Sequence, residues 1–151
     1  MNKKTISIPK PILKWVGGKT QILHELIESF PKNMSNYHEI FLGGGSVLIG
    51  LLKQIKQKSI KIDGNIYAYD LNESLINVYN NIKLKKDEIY NSIESLWDVY
   101  DNLEGSIINR NPKNIDEGKT SKESYYYWIR KRFNEIEKNS AEQSAMFIFL
   151  N

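Results

Sequence analysis

Residues 37–46 read Tyr-His-Glu-Ile-Phe-Leu-Gly-Gly-Gly-Ser, and this stretch decides the fold. It predicts a short strand over 37–41 that runs into three consecutive glycines. Apolar residues then recur at helical spacing, and a second strand over 66–69 ends at Asp70. A strand, a glycine turn, a helix and a second strand form a βαβ unit, whose two strands are parallel. The sequence therefore predicts an α/β fold.

Helical patterns surround this unit on both sides. One helix is predicted over 20–30, where Pro31 stops it, and another follows Asp70. Beyond residue 83 the pattern is mainly helical: a long amphipathic helix spans 89–103, a polar loop covers 104–121, and Tyr126 and Ile129 mark the inner face of the next helix. The last helix begins with a capping box at residues 140–143, Ser-Ala-Glu-Gln.

The composition narrows the classes of protein. The 151 residues contain no cysteine and only two histidines, His24 and His38, so thiolate sites, disulfides and histidine-based metal clusters are not expected. No apolar run approaches the roughly 20 residues of a membrane span, and residues 1–9 do not resemble a secretory signal. We expect a cytoplasmic protein that needs no metal.

The charge is divided unevenly along the chain. Residues 1–62 carry ten lysines and three glutamates, a net charge of +7, whereas residues 63–151 carry eleven basic and fifteen acidic residues, a net charge of −4. A basic first half suits an anionic partner such as nucleic acid, although a lysine-rich composition alone also produces a solvated basic surface.

Two glycine clusters are candidate ligand sites. Glycines at 43–45 let the backbone approach a ligand, and the helix N-terminus behind them offers free N–H groups. Asp70 stands near the spacing at which an acid binds a ribose, and the alternative is that it caps the next helix. A dinucleotide fingerprint needs a third glycine where Leu48 stands, which weakens that interpretation.

The other cluster, residues 17–20, reads Gly-Gly-Lys-Thr and is similar to the end of a phosphate-binding P-loop motif. That motif needs a glycine at Leu13 and a preceding strand, where Pro11 stands, so the P-loop interpretation fails. What remains is the flat ring of Trp15, which can stack on a base, beside the cation of Lys19. The residues alone leave open that Trp15 is a core residue and Lys19 is merely solvated.

The ordered blocks of the chain resemble the Dam-type adenine-specific DNA methyltransferases. Residues 11–19, Pro-Ile-Leu-Lys-Trp-Val-Gly-Gly-Lys, are similar to the family's P-x-L-K-W-x-G-G-K, and residues 39–46, Glu-Ile-Phe-Leu-Gly-Gly-Gly-Ser, to its E-P-F-x-G-x-G-S/A. Residues 70–79 resemble a D-x-N-x-x-L-I-x-x-Y run, and residues 126–134 a Y-Y-x-x-R-x-x-F-N stretch. Residues 145–151 resemble the start of a further segment.

This resemblance implies methyl transfer from S-adenosyl-L-methionine to the N6 atom of adenine in double-stranded DNA, in a restriction-modification, phage or viral setting. It implies a Rossmann-like cofactor domain, over residues 1–82, and the start of a helical target-recognition domain, over 83–151. By position, Trp15 would pack on the cofactor's adenine, Lys19 would approach its carboxylate and Asp70 would hold the ribose. The remaining implied cofactor-binding residues are Glu39, Phe41, Gly43, Gly45 and Ser46.

Two departures from the family pattern stand out. Ile40 replaces the proline of the second block, and no two of the chain's prolines are adjacent, so the catalytic Asp/Asn-Pro-Pro-aromatic element is not among these residues and no catalytic residue is assigned. With only two predicted strands, the sheet also looks incomplete. We expect a fragment, inactive alone and completed by the other half, in the same or a separate chain. The alternatives are a non-catalytic module that binds S-adenosylmethionine or nucleic acid, or another α/β nucleotide-binding enzyme.

Overall fold

The computed structural model describes residues 10–151. Within them the chain forms two compact units, which divide between Leu71 and Asn72. The sequence predicts a functional boundary later, between residues 82 and 83. The compact units divide earlier because the helix that follows Asn72 packs with the later helices of the chain. None of the helices in the described range is long and apolar enough to cross a bilayer.

In its described part, residues 10–71, the first unit contains two helices and four short strands. In chain order these are α1 (Leu23–Ser29), β1 (Asn33–Met34), β2 (Tyr37–Glu39), α2 (Ser46–Lys56), β3 (Lys61–Ile62) and β4 (Ile66–Ala68). The predicted parallel βαβ unit is confirmed, because β2 and β4 pair in parallel on either side of α2. Its strands are shorter than predicted, and α1 begins three residues later than the apolar pattern indicates.

The strands pair in two parallel ladders. Tyr37, His38 and Glu39 of β2 lie opposite Ile66, Tyr67 and Ala68 of β4, and β1 pairs with β3. Asn36 joins the two ladders, since its side-chain oxygen accepts the N–H of Asn65 at 2.9 Å. Strands β1 and β3 were not predicted, because a pair of two-residue strands carries no alternation of apolar and polar side chains. Because β2 and β4 are parallel, their carboxyl ends lie at the same edge of the ladder.

The core of this unit lies between the two helices and the strands. Leu23, Ile27, Leu51 and Ile60 are buried together, and α1 crosses α2 where Gly50 has no side chain. A Cβ at Gly50 would lie 3.3 Å from the side chains of both Leu23 and Ile27, so glycine permits this close helix packing. Burial of this core holds the N-terminus of α2 against the carboxyl ends of the strands.

The second unit is helical, as predicted. It comprises α3 (Glu73–Leu84), α4 (Lys86–Asp101), α5 (Ile115–Gly118), α6 (Lys122–Glu135) and α7 (Ala141–Leu150). The predicted polar loop after α4 is confirmed except for the single turn of α5. The capping prediction is also confirmed: Ser140 accepts the N–H of Gln143 at 3.0 Å, and the Gln143 side chain in turn accepts the N–H of Asn139.

Aromatic residues fill the core of the second unit. Phe149 of α7 contacts Trp97 and Tyr100 of α4 and Tyr125 of α6, with ring centroids 4.9–6.0 Å apart. The sequence assigned Tyr126 to the inner face of α6, but Tyr125 is the buried residue and Tyr126 is exposed. Tyr125 and Ile129 are four residues apart on one helix face, which leaves Tyr126 at its border.

A buried asparagine joins α3 to α7 within this unit. The side-chain amide of Asn81 donates hydrogen bonds to the carbonyl oxygens of Asn139 and Ser140 and to the Ser144 hydroxyl, at 2.9–3.2 Å. We expect Asn81→Ala to lower the free energy of unfolding by about 2 kcal/mol, since these acceptors lose a buried donor. Urea denaturation measures the loss, and Asn80→Ala, an exposed position on the same helix, is the control. Equal stability of the two variants would contradict this.

Candidate functional site

One open cavity of about 700 Å³ lies in the first unit, where three separate segments meet beside α1. They are residues 15–19, the segment that runs from β2 into the N-terminus of α2, and Asp70 at the end of β4. Seven of the eight predicted cofactor-binding residues line it: Trp15, Lys19, Glu39, Phe41, Gly43, Ser46 and Asp70. The eighth, Gly45, does not line the cavity.

Residues 15–18 form a tight turn that presents Trp15 and Lys19 on the same side of the fold. The N–H of Gly18 donates to the carbonyl oxygen of Trp15 at 3.0 Å, and Gly17 has a φ of +76°. A positive φ at the third position of a turn is characteristic of type II and favours glycine there. The ammonium group of Lys19 donates to the Gly17 carbonyl at 2.8 Å, which keeps the cation at the cavity.

The three glycines after β2 seat the Trp15 segment. Gly43 has a φ of +50°, and a Cβ there would lie 2.9 Å from Cδ1 of Trp15. A Cβ at Gly44 would lie 2.6 Å from the carbonyl oxygen of Leu13. The sequence predicted that these glycines make room for a ligand. The structure adds that their first close neighbour is the protein's own segment 13–15.

Gly45 acts on the helix rather than on the cavity. It is the N-cap residue of α2, with a left-handed φ of +68°, and its N–H donates to the Leu42 carbonyl at 2.9 Å. This conformation favours glycine and turns the chain from the glycine-rich segment into α2. The result is that the first turn of α2, beginning with the buried Ser46, faces the cavity.

Asp70 ties the end of β4 to the glycine turn. Its carboxylate oxygen Oδ2 accepts the N–H of Gly43 at 2.9 Å, and the neighbouring backbone pair joins the N–H of Leu42 to the Tyr69 carbonyl at 2.8 Å. The alternative role considered for Asp70, capping the following helix, is taken by Asn72, whose side chain accepts the N–H of Leu75 at 3.0 Å. Asp70 is therefore a cavity residue that also fixes the turn.

Glu39 is held by two hydrogen bonds. The hydroxyl of Tyr37 donates to its Oε2 at 3.1 Å, and the backbone N–H of Leu48, in the first turn of α2, donates to the same carboxyl group. Burial raises the pKa of Glu39, and both hydrogen bonds oppose that rise. Burial also raises the pKa of the Tyr37 hydroxyl, which therefore remains a donor.

Tyr37 is a cavity residue that sequence reasoning missed. It lies two positions before Glu39 on β2, and residues two apart on a strand share a face. The alternation of side chains along the strand could have indicated Tyr37. The recognised motif begins only at Glu39, so it does not include Tyr37. On the rim of the cavity, Phe41 is mostly exposed and offers an open aromatic face.

The arrangement suits a ligand of mixed charge with a flat ring. An aromatic face (Trp15) and a cation (Lys19) come from one turn, and two carboxyl groups (Glu39 and Asp70) come from the strand ends. A volume of about 700 Å³ lies within the usual range for a nucleotide-sized ligand. Across residues 10–151, no three histidine or acidic side chains are grouped as a metal site.

Comparisons with known proteins show which proteins the chain resembles. The family model described as D12 class N6 adenine-specific DNA methyltransferase matches residues 15–151. A type II methyltransferase, M.MjaIII, from Methanocaldococcus jannaschii is 37% identical, and the match covers 94% of this chain and 45% of the relative. A DNA adenine methylase from Haemophilus influenzae is 27% identical over 94% of this chain and 40% of its own length. One from Serratia marcescens is 31% identical, with 41% of its length covered.

The chain thus spans less than half the length of these curated relatives. No solved structure matches it.

Proposed function

Because the chain belongs to the D12 class of N6 adenine-specific DNA methyltransferases, we propose that its first unit binds S-adenosyl-L-methionine for transfer of a methyl group to adenine in DNA. The observation that carries this proposal is the convergence of Trp15, Glu39 and Asp70, from three separate segments, on one cavity. The chain's similarity to proteins named DNA adenine methylase and type II methyltransferase supports it.

The chemistry of the donor set fits this cofactor. The indole of Trp15 offers a surface for an adenine ring, and Asp70 offers a carboxylate for ribose hydroxyl groups. Lys19 supplies a cation for the cofactor's carboxylate, and Glu39 supplies an anion of the sign that suits its ammonium group. Phe41 and the residues of the glycine turn, Gly43 and Ser46, contribute the remaining wall. The overall fold we infer is Rossmann-like, with the parallel pair β2–β4 as its centre.

In this account the protein residues bind and orient. S-adenosylmethionine supplies, when bound, a methyl group made electrophilic by the adjacent sulfonium. The turn at 15–18 and the glycine turn fix where the ligand lies, and Asp70 stabilises the glycine turn through the Gly43 N–H. The partner we propose is double-stranded DNA, with the target adenine rotated out of the helix, since N6 is inaccessible within the stack. The helical segment from residue 83 onward would then begin the target-recognition domain.

We assign no residue that binds the target adenine within these 151 residues. The Asp/Asn-Pro-Pro-aromatic element needs two adjacent prolines, and no two prolines of this sequence are adjacent. The adenine-binding element of the family, and with it the transfer step, would come from residues outside this sequence, in the same or a separate chain.

Ligand identity is tested by calorimetric titration of the 151-residue chain with S-adenosylmethionine, NAD and ATP in parallel. We expect saturable one-site binding of S-adenosylmethionine and no comparable binding of the other two, since the P-loop and dinucleotide patterns both fail in this sequence. Preferential binding of NAD or ATP would replace the proposal with a different α/β nucleotide-binding function.

Substitution of Asp70 separates its two roles. Asp70→Asn keeps a side-chain oxygen that can accept the Gly43 N–H, whereas Asp70→Ala removes the acceptor altogether. We expect both variants to bind S-adenosylmethionine more weakly, and the alanine variant also to unfold at lower denaturant, by about 1–2 kcal/mol. Calorimetry and urea denaturation give the two quantities. Wild-type affinity in Asp70→Asn would exclude a requirement for its charge at the ribose.

A further inference from the structure

We propose that Tyr37 is a positioning residue, whose hydroxyl fixes the Glu39 carboxylate in the cavity as the acceptor for the primary ammonium group of the cofactor. Neither the sequence motifs nor the resemblance assigns a role to Tyr37. The inference rests on the proposed function and deepens it, because it names one polar contact of the same site and the residue that prepares it.

The strand geometry aims both side chains in the same direction. Tyr37 and Glu39 lie at alternate positions of β2, so they project from one face of the ladder, toward the cavity that both line. The Tyr37 hydroxyl donates to Oε2 of Glu39 at 3.1 Å. The Glu39 carboxylate is therefore restricted by a donor from its own strand, the Tyr37 hydroxyl. Its second donor, the Leu48 N–H, comes from α2.

The tyrosine is itself anchored. Its ring packs against the hydrophobic core of the first unit and lies 5.8 Å from the ring of Phe30, centroid to centroid. An anchored donor loses little further freedom when it forms a hydrogen bond, in contrast to a long, exposed side chain. Tyr37 thus transmits the rigidity of the core to a carboxylate that faces the open cavity.

The charge balance indicates which group Glu39 accepts. Half-burial raises the pKa of Glu39, and the hydrogen bonds from its two donors oppose that rise and favour the charged form. A carboxylate held in this way is complementary to a cation that can also donate a hydrogen bond. S-adenosylmethionine has two cationic centres, and only the ammonium group carries N–H donors, because the sulfonium has none. Lys19, the cation of the cavity, is left for the carboxylate of the same ligand.

Other ionisable residues also line this cavity and must be distinguished from Glu39. They are Lys19 from the turn, His38 from β2 and Asp70 from the end of β4. The described residues that α1 and α2 contribute to the lining are apolar or, in the case of Ser46, a hydroxyl. A His38→Gln background therefore removes the imidazole as a source of pH dependence in the acid range.

The test compares Tyr37→Phe with Tyr67→Phe, both in the His38→Gln background. Tyr67 is the matched control, because it is exposed, does not line the cavity and has a hydroxyl that accepts a hydrogen bond from the Asn65 side chain at 3.2 Å. Two quantities are measured between pH 4 and 7: the carbon-13 shift of the Glu39 carboxyl, assigned with Glu39→Gln, and the calorimetric affinity for S-adenosylmethionine.

The sign of the expected shift follows from the hydrogen bond. The Tyr37 hydroxyl lowers the pKa of Glu39, so its loss raises the carboxyl midpoint. Affinity needs the ionised form, so it falls as the pH drops through that midpoint. In Tyr37→Phe, the pH at which affinity falls should rise by the same amount as the Glu39 carboxyl midpoint. In Tyr67→Phe, neither the carboxyl midpoint nor the pH dependence of affinity should change.

Two results would overturn the proposal. An unchanged Glu39 midpoint in Tyr37→Phe would show that the hydroxyl does not control the carboxylate. A shifted midpoint with an unchanged pH dependence of affinity would show that Glu39 is not the acceptor of the ammonium group. Failure of the parent chain to bind S-adenosylmethionine at neutral pH would instead contradict the proposed function, and the carboxyl titration would still decide whether Tyr37 controls Glu39.

Discussion

Replacing Trp15 with alanine is expected to weaken binding of S-adenosylmethionine by on the order of 10- to 100-fold, the loss that accompanies removal of an aromatic ring stacked on a base. Trp15 is half-buried, lines the cavity and packs against the glycine turn, so its indole is presented in one orientation. Isothermal calorimetry on the 151-residue chain measures the loss directly.

Two further variants test whether the loss of affinity comes from the aromatic ring itself. Trp15→Phe keeps a flat ring and should lose less affinity than Trp15→Ala. Ile12→Ala alters an exposed side chain of the same segment that does not line the cavity, and it should bind as the parent chain does. Parent-like affinity of Trp15→Ala, with an intact fold by circular dichroism, would remove the indole from the binding site.

Gly43→Ala is expected to produce the second large effect, because the new methyl group meets the same indole. A left-handed φ of +50° costs a non-glycine residue roughly 1–2 kcal/mol, and its Cβ would lie 2.9 Å from Cδ1 of Trp15. Trp15 must then shift within the cavity. We expect lower stability and, in addition, affinity for S-adenosylmethionine reduced by on the order of tenfold or more, in line with the loss of about 1.4 kcal/mol of contact.

Gly17→Ala is the matched control for backbone strain. Gly17 also has a positive φ, +76°, but a Cβ there meets no heavy atom within 4 Å. Gly17→Ala should therefore lose stability in urea denaturation through backbone strain alone, whereas Gly43→Ala, which also meets Trp15, should lose more stability and more affinity. Equal affinities in the two variants would mean that contact between the glycine turn and Trp15 does not matter for binding.

The sequence predicted most of the architecture because its signals were local. The glycine turn between β2 and α2, the helical second half and the serine cap of α7 are all encoded by neighbouring residues. The two-residue strands β1 and β3 were missed, since each depends on pairing with a distant partner rather than on its own pattern. The phase of α6, which buries Tyr125 instead of Tyr126, was decided by its aromatic neighbours.

The sequence predicted those residues of the candidate site that lie within recognisable motifs. Seven of the eight residues chosen from the sequence line the cavity, and Gly45 acts as a helix cap. The hydrogen bond from the Gly43 N–H to Asp70 joins residues 27 positions apart, and the donor from Tyr37 lies just before a motif. Contacts of this kind depend on how strands pair, so composition and spacing did not indicate them.

The central claim is that an indole and two carboxylates from separate segments surround one molecule of S-adenosylmethionine. Isotope-filtered nuclear Overhauser spectroscopy on the labelled chain with unlabelled cofactor tests it most directly. We expect contacts from the Trp15 indole to the adenine protons and from the glycine turn, next to Asp70, to the ribose protons. Contacts confined to residues outside this cavity, with none to Trp15, would contradict it.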